Sequence, residues 1–538
     1  MGFRGRSSGQ EVTSHDRASA RLSSTYKRRT SLWIWCGVIF FAYLPACTSS
    51  QEGSTQRRGV LTIGFPESSV NGPEIGAGSL ITNSTLEGLT QVNVSVDGRA
   101  LPRLAESWTW ENEGRSLRLN LRSGVSFHDG TALTSTVAAD ALRLAIARPG
   151  NRALYPSLSD ITAVRTDGDS QLILDLSQPS AFLPEELDLP LGIGPDNVGT
   201  GPFRLVRRDA SGVLLQRFDH YYLGVPQIEQ IVIRPFDTLR TAWTSLLRGE
   251  VDMSTDVPPE AVEFIPNEIQ VIPFARSYQF LIAFNSQRPP FTSAAVRRAL
   301  NVAINRDALI TNVLHGQGQP ATGPLWPQHW AYDASVQPYS FDPEFAVSLL
   351  DAAGFRPGTA KGTANLAPAR LRFTCLLPAG FSLLERIGLE VQKQLFDVDV
   401  DIQFEVVSLA EYNSRILEGR LEAVLVDLIS GPTFARPFIF WRSARDFKGL
   451  NVFGYENAEA ERLFQLLRTS MNEAAVRSAT PRLQRVMLED PPAIFLAWNS
   501  RARAVRRHFQ VVGEPGRDPL LTIRQWTENV DGPVASTQ

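Results

Sequence analysis

The stretch LPRLAESWTWENEGRSLRLNLRSGVSFHDGTALTSTVAADALR, residues 101–143, has the pattern of two β-strands followed by a helix. Trp108 and Trp110 alternate with polar residues along the first strand, and Glu113-Gly114 provides a turn. Leucines at positions 117, 119 and 121 then alternate with polar residues along the second strand. Because the two tryptophans share one face of a strand, we expect them to pack in the core rather than stack on a ligand.

Turn signals follow these strands. Asp-Gly after a strand favours a turn, so we interpret His128-Asp129-Gly130 as structural rather than as a metal or catalytic site. The two glycines of residues 199–201 are not followed by a phosphate-binding loop, and they also predict a tight turn. Thr134 or Ser135 is placed to cap the helix that ends the opening stretch. The predicted apolar face of that helix consists of Val137, Ala141, Leu144 and Ala145.

Strand and helix patterns alternate over most of the chain. A short β-prone run from Val60 to Ile63 predicts the first strand. Alternation with period two predicts further strands that carry Leu172, Leu174 and Leu176, then Ile231 and Ile233, and finally Ile402, Phe404 and Val406. Helical stripes are formed by Val296, Ala299, Leu300, Ala303 and Ile304, and by Leu384, Ile387, Val391 and Leu395. The predicted class is therefore α/β, with mixed sheets covered by helices.

Two prolines are placed where a helix is predicted to start. Asp342 is placed as an N-cap with Pro343 in the first helical position, and Gly354 is placed to end that helix. Pro481 interrupts another helical pattern, and with Thr480 as its N-cap it is predicted to start a new helix.

Composition and motifs offer no basis for catalysis. The net charge of −3 over 538 residues, without a long basic stripe after residue 60, argues against a nucleic-acid partner. The six histidines contain no i, i+4 pair, and HExxH, CxxC and Walker motifs are absent; GxSxG occurs only as GRSSG at residues 5–9, inside the N-terminal segment before the apolar run. We therefore predict no catalytic residue, no metal site and no cofactor. Cys375 is the one unmodified thiol expected in the mature chain, so an internal disulfide is not expected.

The N-terminal residues have the layout of an export signal. Basic residues at 27–29 precede an apolar run from Leu32 to Leu44, which is shorter than the roughly twenty residues that span a membrane. Residues 44–47, Leu-Pro-Ala-Cys, resemble the bacterial lipobox, so residues 1–46 are predicted to be a lipoprotein signal peptide and Cys47 a lipidation site. The alternative is an ordinary signal peptide in which Cys47 is incidental. Residues 47–58 are small and polar and predict a flexible tether.

Six segments, in the same order, resemble the family 5 extracellular solute-binding proteins, which are the dipeptide, oligopeptide and nickel receptors of ABC transporters. They are LAESW with LRSGVSFHDG inside 101–143, GTGPFRL at 199–205, LLRGEVDMSTDVPPE at 246–260, the segment LIAFNSQRPPFTSAAVRRALNVAINRDALI at 281–310, FDPEFAVSLLDAAGF at 341–355 and LQRVMLEDPPAIFLAW at 483–498. Each segment alone is weak, but together they span some 450 residues in the family's order.

The resemblance implies a two-lobed type II periplasmic-binding-protein fold with hinge strands and a ligand cleft between the lobes. Lobe I would comprise residues 59–275, with a family insert at about 83–197, and would be completed by about 500–538. Lobe II would comprise 276–499. The resemblance also implies a monomer that closes on a small-molecule or peptide ligand outside the cytoplasm and delivers it to the permease subunits of an ABC transporter. Cys47 would tether it to a membrane.

The ligand residues are expected near the crossing between lobes. Peptide-binding members of the family carry a tryptophan and an aspartate, the latter resembling an anchor for the α-ammonium group, where this chain reads VDLISGPTF, 426–434. Here the tryptophan is missing and Asp427 is displaced, so Asp427 either anchors the ligand through a shifted loop or caps local backbone. Tyr278, Trp326 and Trp330 are candidates for ligand contact, with packing against lobe II as the alternative.

The predicted function is that of a solute-binding lipoprotein that delivers a short peptide to an ABC permease. Oligosaccharides, opines and metal chelates remain alternative solutes. A surface sensor that kept the fold but lost the transporter is a second function, and an exported hydrolase is a third that the missing motifs disfavour.

Overall fold

The structure of the chain is a computed structural model, and it describes residues 59–66, 77–94, 96–258, 261, 264–358, 369–443, 450–514 and 517–529. The predicted signal peptide, Cys47 and the tether lie outside the described residues.

Nineteen strands are present in the described residues. In chain order they are β1 Val60–Pro66, β2 Thr90–Val92, β3 Ala100–Pro102, β4 Ala105–Glu111, β5 Ser116–Leu121, β6 Ile161–Asp167, β7 Gln171–Leu176, β8 Phe203–Asp209, β9 Gly212–Arg217, β10 Gln230–Phe236, β11 Met253–Ser254, β12 Ile269–Phe284, β13 Gly318–Pro320, β14 Leu371–Pro378, β15 Val400–Val407, β16 Ala423–Ile429, β17 Ala493–Arg506, β18 Phe509–Gln510 and β19 Thr527–Glu528.

Thirteen α-helices are present in the same residues. They are α1 Ala77–Thr85, α2 Ser135–Ala147, α3 Pro149–Leu154, α4 Leu183–Glu186, α5 Leu239–Arg248, α6 Ala294–Val302, α7 Arg306–Asn312, α8 Pro343–Ala352, α9 Ser382–Phe396, α10 Leu409–Leu417, α11 Ala435–Trp441, α12 Ala458–Thr469 and α13 Glu473–Glu489. Short 3₁₀ helices occupy Asn112–Gly114, Pro156–Ser159 and Pro519–Gln525. The predicted α/β class is confirmed, and helices pack against the sheets as expected.

One large mixed sheet runs through the molecule in the order β15-β14-β16-β12-β17-β11-β1-β10-β9-β8, and β13 pairs with β17 beside it. The separate sheet β4-β5-β7-β6 is antiparallel and contains the opening stretch of the sequence analysis. Each run of alternating residues that predicted a strand lies in a strand of one of these sheets. Trp108 and Trp110 pack against the core of the small sheet, as their spacing predicted.

Strands β12 and β17 connect the two halves of the large sheet. Residues 269–275 of β12 pair with 500–506 of β17, and residues 279–283 pair with 493–498. The register shifts between Ala275 and Gln279, so the ladder is interrupted at Arg276 to Tyr278. The division between lobes at residues 275 and 276 stays a prediction, and this interruption lies at it.

The apolar face of α2 differs from the predicted one. Thr134 caps this helix, accepting a hydrogen bond from the Val137 N–H at 3.3 Å, as predicted. Leu144, however, is 53% exposed, and the buried face includes Leu142 and Ile146. The prediction of Leu144 was wrong because alanine and other apolar residues occur almost all round this helix, so several stripes fit the sequence.

The two proline signals have opposite outcomes. Asp342 accepts a hydrogen bond from the Phe345 N–H at 2.8 Å at the start of α8, which confirms the predicted cap. Pro481 lies inside the continuous helix α13, so the predicted new helix is wrong. The Thr480 hydroxyl donates to the Val476 carbonyl one turn earlier instead of capping. Buried neighbours along α13 hold the helix together although Pro481 removes one of its N–H donors.

A buried arginine organises the second half of the sheet. Arg306, only 5% exposed, donates to the carbonyl oxygens of Ala321 at 2.7 Å and Phe495 at 2.8 Å. It also donates to the Asn301 carbonyl and amide oxygens, both at 3.1 Å. Burial lowers its pKa to about 10. The arginine of the AINRDALI segment therefore joins helix, loop and strand β17, which is a structural role.

The two turn motifs that the sequence singled out bind each other. The His128 N–H donates to the Gly199 carbonyl, and His128 Nε2 donates to the Gly201 carbonyl, both at 2.9 Å. Burial lowers the pKa of His128, which fits a neutral ring. A Cβ atom at Gly199 would lie 2.0 Å from the Thr85 carbonyl oxygen, so close backbone approach requires glycine there. The structural interpretation of both motifs fits these contacts.

We expect Gly199→Ala to lower the free energy of unfolding by about 3 kcal/mol, because the added methyl group overlaps the Thr85 backbone. The matched control is Gly150→Ala in α3, where a Cβ meets nothing within 4 Å. That change should be neutral or should stabilise the protein by up to about 1 kcal/mol. Urea unfolding followed by tryptophan fluorescence measures both, and equal midpoints for the two variants would contradict the packing described here.

Candidate functional site

A cavity of about 350 Å³ lies where β12 and β17 cross between the halves of the large sheet. Its lining combines residues of both predicted lobes: Ser79, Leu80 and Asn83 of α1, Val92 and Val94, Leu154 and Tyr155, Glu185, Glu186 and Asp188, Thr255 and Asp256, Phe274 to Arg276 and Tyr278 of β12, Ile429, Gly431 to Thr433, Ala435 and Arg436, and Arg501, Arg503, Arg517, Asp518 and Leu521. Charged side chains dominate its polar surface. A space between facing halves is a common location for ligand sites.

Four of the lining arginines, which we call the arginine cluster, are Arg276, Arg501, Arg503 and Arg517. Three of them belong to the crossing strands, since Arg276 lies at the break in β12 and the other two alternate along β17. Arg501 forms an ion pair with Asp256, and Arg503 binds Asp518 through Nε at 3.1 Å and Nη2 at 2.5 Å. These pairings hold the guanidinium planes in place beside the cavity.

Arg517 has a different arrangement. Its Nη1 donates to Glu514 at 2.7 Å, whereas its buried Nε has no hydrogen-bond partner. The side chain is only 8% exposed and lines the cavity. A buried N–H donor without a partner carries a desolvation cost that an acceptor in the cavity would remove.

Asp427 is committed to an ion pair. Its Oδ2 lies 3.4 Å from Arg276 Nη1 and 3.3 Å from the amide nitrogen of Asn499, and both charged side chains are 6% exposed. Asp427 is not among the residues that line the cavity, and the Arg276 guanidinium also lies over the Tyr278 ring at 4.0 Å. Its Oδ1 is buried without a hydrogen-bond partner, and its two predicted roles, ammonium anchor or backbone cap, stay predictions.

The three aromatic residues predicted to contact a ligand lie in different surroundings in the structure. Tyr278 lines the cavity, and its contact with a ligand stays a prediction. Trp326 is 4% exposed and packs edge-on against Trp498 with ring centroids 4.9 Å apart, so the packing alternative describes it. Trp330 does not line the cavity either, and it lies between the guanidinium groups of Arg99 at 4.4 Å and Arg477 at 5.0 Å.

Trp330 belongs to a contact between the predicted lobes, which we call the arginine–tryptophan clamp. Asp97 accepts a hydrogen bond on its carbonyl from the Trp330 N–H at 3.0 Å, and Arg99 binds Glu473 at 2.6 Å. Arg477 donates to the Trp330 carbonyl at 2.7 Å. The residues 97–99 belong to predicted lobe I, and the other members belong to predicted lobe II.

Predicted lobe I and predicted lobe II also meet at a second contact, which is buried. Phe182 is 2% exposed and lies 5.7 Å from Phe438 between ring centroids. Asp160 and Arg468 form an ion pair with side chains 9% and 2% exposed. Both contacts join the predicted insert to predicted lobe II.

Two carboxyl groups that the sequence analysis missed face the cavity. Glu186 is 2% exposed; its Oε2 accepts the Ser157 N–H at 2.7 Å, whereas Oε1 has no hydrogen-bond partner. Oε2 of the neighbouring Glu185 is likewise buried without a partner. Burial raises the pKa of Glu186 to about 8 and raises that of Glu185 well above its usual value. The only signal in the sequence is the acid pair inside the apolar segment AFLPEELDLP, residues 181–190.

Other site types find no support in the described residues. They contain no group of three or more His, Cys, Asp or Glu side chains that could hold a metal ion. No helix in the same residues is both long enough and apolar enough to span a membrane.

Known proteins of similar sequence bind peptides. The chain is 22% identical to the oligopeptide-binding protein AppA of Bacillus subtilis (strain 168), in an alignment that covers 93% of this chain and 99% of that protein. It is 30% identical to the glutathione-binding protein GsiB of Salmonella typhi over 273 residues, which are 47% of this chain and 53% of that protein.

The fold and the family follow from two further comparisons. The crystal structure of NikZ from Campylobacter jejuni in complex with Ni(L-His) superimposes with a TM-score of 0.73 and 20% identity, covering 88% of this chain and all of that one. The fold is accordingly the two-lobed type II periplasmic-binding-protein fold. Residues 99–446 match the family described as "Bacterial extracellular solute-binding proteins, family 5 Middle". The chain therefore belongs to family 5 of the bacterial extracellular solute-binding proteins.

Proposed function

We propose that this protein captures a short peptide outside the cytoplasm and delivers it to the permease of an ABC transporter. The observation that carries the proposal is the cavity of about 350 Å³, bounded by both predicted lobes and lined by charged side chains. Ligand sites usually measure about 300–1,000 Å³, so this volume favours a di- or tripeptide over a long one. The likeness to an oligopeptide-binding and a glutathione-binding protein supports the same class of solute.

The charged side chains that line the cavity also favour some of the alternative solutes over others. Arginine side chains bind carboxylates well, because the planar guanidinium presents parallel N–H donors. The arginine cluster therefore favours peptides, opines and amino-acid chelates of metals over neutral oligosaccharides. Among these classes, we propose the short peptide because it fits the cavity and matches the sequence relatives.

The proposed mechanism is binding, closure, docking on the permease and release, without a chemical step or cofactor. The arginine–tryptophan clamp and the buried contacts of Phe182 and Asp160 with predicted lobe II would hold the closed state. Opening for solute exchange requires these contacts to separate, as in hinge closure of binding proteins generally. We expect the protein to act as a monomer, since the cavity is completed within one chain.

We further propose that Cys47 carries lipid and tethers the protein to a membrane surface. The support is the sequence alone: a basic cluster, a short apolar run and Leu-Pro-Ala before the cysteine. Lipid chains would keep the receptor near its permease, and residues 47–58 would give it reach.

The first test titrates pools of dipeptides, tripeptides and pentapeptides into protein that has been unfolded and refolded to remove co-purified solute. We expect calorimetric heats with the di- and tripeptide pools and weaker binding of pentapeptides, because the cavity is small. Ser79→Trp should abolish the heat, since Ser79 lines the cavity, whereas Leu247→Trp on an exposed face of α5 should not. No heat and no thermal shift with any di- to pentapeptide would remove the peptide proposal.

The second test concerns the clamp. Trp330→Ala should weaken the binding of the best peptide about two- to fivefold, because the cation–π contact with Arg99, of about 0.5–1 kcal/mol, joins the two predicted lobes and would be lost from the closed state. The change should appear mainly as faster dissociation in stopped-flow displacement. Trp330→Tyr keeps an aromatic face and should retain most of the affinity. Unchanged dissociation in Trp330→Ala, with an unchanged melting temperature, would exclude the clamp from closure.

The third test concerns the anchor. The wild-type protein expressed with its own signal should partition into the detergent phase of Triton X-114, and its mature mass should include diacylglycerol. Cys47→Ser should move the protein to the aqueous phase, whereas Cys36→Ser, inside the predicted signal peptide, should not. A wild-type protein found in the aqueous phase with an unmodified Cys47 would support the ordinary signal peptide instead.

A further inference from the structure

The acid pair Glu185–Glu186 has the features of a prepared cation site. Both carboxyl groups line the cavity, and each has one buried oxygen without a hydrogen-bond partner. An unpaired buried carboxylate is costly, so such a group either stays protonated or awaits a cation. Since the pair faces the space proposed for the solute, the missing cation is expected to be part of the solute.

The acid pair is held firmly by its own segment. Glu185 and Glu186 end the short helix α4, which is flanked by the buried side chains of Leu183 and Leu187. The Glu186 N–H donates to the Phe182 carbonyl at 3.0 Å, and the Ser157 N–H fixes one oxygen of Glu186. A rigid arrangement lowers the entropic cost of binding a positively charged group.

The protein's own cations near this pair are engaged elsewhere. Arg99 binds Glu473 at 2.6 Å, and Arg468 pairs with Asp160. Arg436 donates to the Leu154 carbonyl and lies over the Tyr155 ring at 4.9 Å. The remaining charged neighbours, Asp97 and Asp188, are acidic and add to the negative potential at the pair.

A complementary group lines the same cavity. The buried Nε–H of Arg517 has no partner, and Arg503 lies two residues from Arg501 on the same strand. A carboxylate or carbonyl oxygen of the solute would satisfy the Arg517 donor. The cavity is therefore lined both by carboxyl oxygens that lack a hydrogen-bond donor and by an N–H group that lacks an acceptor. This combination fits a solute that carries a positive and a negative charge.

We propose that Glu185 and Glu186 bind the ammonium or guanidinium group of a zwitterionic solute whose carboxylate is held by Arg517 and the neighbouring arginines. This inference rests on the proposed function and names the recognition chemistry within it. Asp427 is not part of this cation site, because it does not line the cavity and its Oδ2 is paired with Arg276. The cation is instead bound by the predicted insert of lobe I.

Proton release is a consequence of this arrangement. Burial raises the pKa of Glu186 to about 8, and burial together with Glu186 and Asp188 raises that of Glu185. Glu186, buried as it is in the described structure, is therefore largely protonated near pH 6.5, and a cation that binds beside it would displace its proton. Because binding releases a proton, the affinity for a cationic solute rises with pH between about 5.5 and 7.5, by up to tenfold per pH unit for one proton released.

The experiment measures trialanine, N-acetyl-trialanine and trialanine amide by calorimetry at pH 6.5 in two buffers of different ionisation enthalpy. Wild-type protein should bind trialanine with release of about one proton and should bind the acetylated peptide at least thirtyfold more weakly. The double variant E185Q/E186Q should lose most of the affinity for trialanine, the discrimination against acetylation and the proton release. Glu411→Gln on α10 is the matched control and should behave as wild type.

Two outcomes would overturn the inference while leaving peptide binding intact. One is equal affinity of E185Q/E186Q and wild type for trialanine; the other is loss of acetyl discrimination in Asp427→Asn instead. Melting temperatures identify a variant that has failed to fold, and the single variants E185Q and E186Q then replace the double one.

A separate measurement covers failure of the peptide proposal itself. Solute that co-purifies with wild-type protein is released by acid and treated with dansyl chloride for primary amines and phenylglyoxal for guanidinium groups. The inference predicts a labelled product of one reagent and a free carboxylate by mass spectrometry. A co-purified solute without amine or guanidinium would overturn it, whatever trialanine does.

Discussion

The pairing of β12 with β17 is the constraint on which the rest of the molecule depends. These strands hold the two halves of the large sheet together by backbone hydrogen bonds on both sides of the interruption at residues 275–279, which a second register shift follows between Phe280 and Leu281. Irregular pairing bends strands and re-aims side chains, and here it directs Arg276 and Tyr278 to the cavity. Arg501 and Arg503 come from the partner strand. This crossing thus provides much of the positively charged wall of the cavity, and its interruption lies at the predicted division between the lobes.

Closure of the two lobes, as proposed, has an energetic cost and an energetic gain, and particular contacts account for each. Asp160 and Arg468 are buried as a pair, which offers little net stability but makes separation of the partners expensive. Phe182 adds apolar contact, and the half-buried Trp330 adds the arginine–tryptophan clamp. A solute that satisfies the open hydrogen-bonding groups of Glu186 and Arg517 favours the closed state over the open one. In the proposed mechanism, binding and closure are therefore one equilibrium, and a solute would shift it by its differential affinity for the two states.

Local patterns predicted the fold well, whereas the site depended on distant partners. Alternating leucines such as Leu172 and Leu174 identified their strands, and Asp342 identified a helix start, because both signals act within a few residues. Leu144 and Pro481 were misjudged where an alanine-rich face or tertiary packing outweighed the local signal. The pairing of Asp427 with Arg276, 151 residues apart, could not be seen in sequence. The burial of Glu186 was hidden for the same reason.

Small-angle X-ray scattering of the refolded, solute-free protein, repeated after saturation with the tightest-binding peptide, tests the central claim most directly. The claim is that two lobes hinged at the β12–β17 interruption close on a solute between them. The account predicts a measurable decrease in the radius of gyration on saturation, and a larger radius for the solute-free protein than the described structure would give. An unchanged radius at full occupancy, with calorimetry confirming that the site is filled, would contradict it.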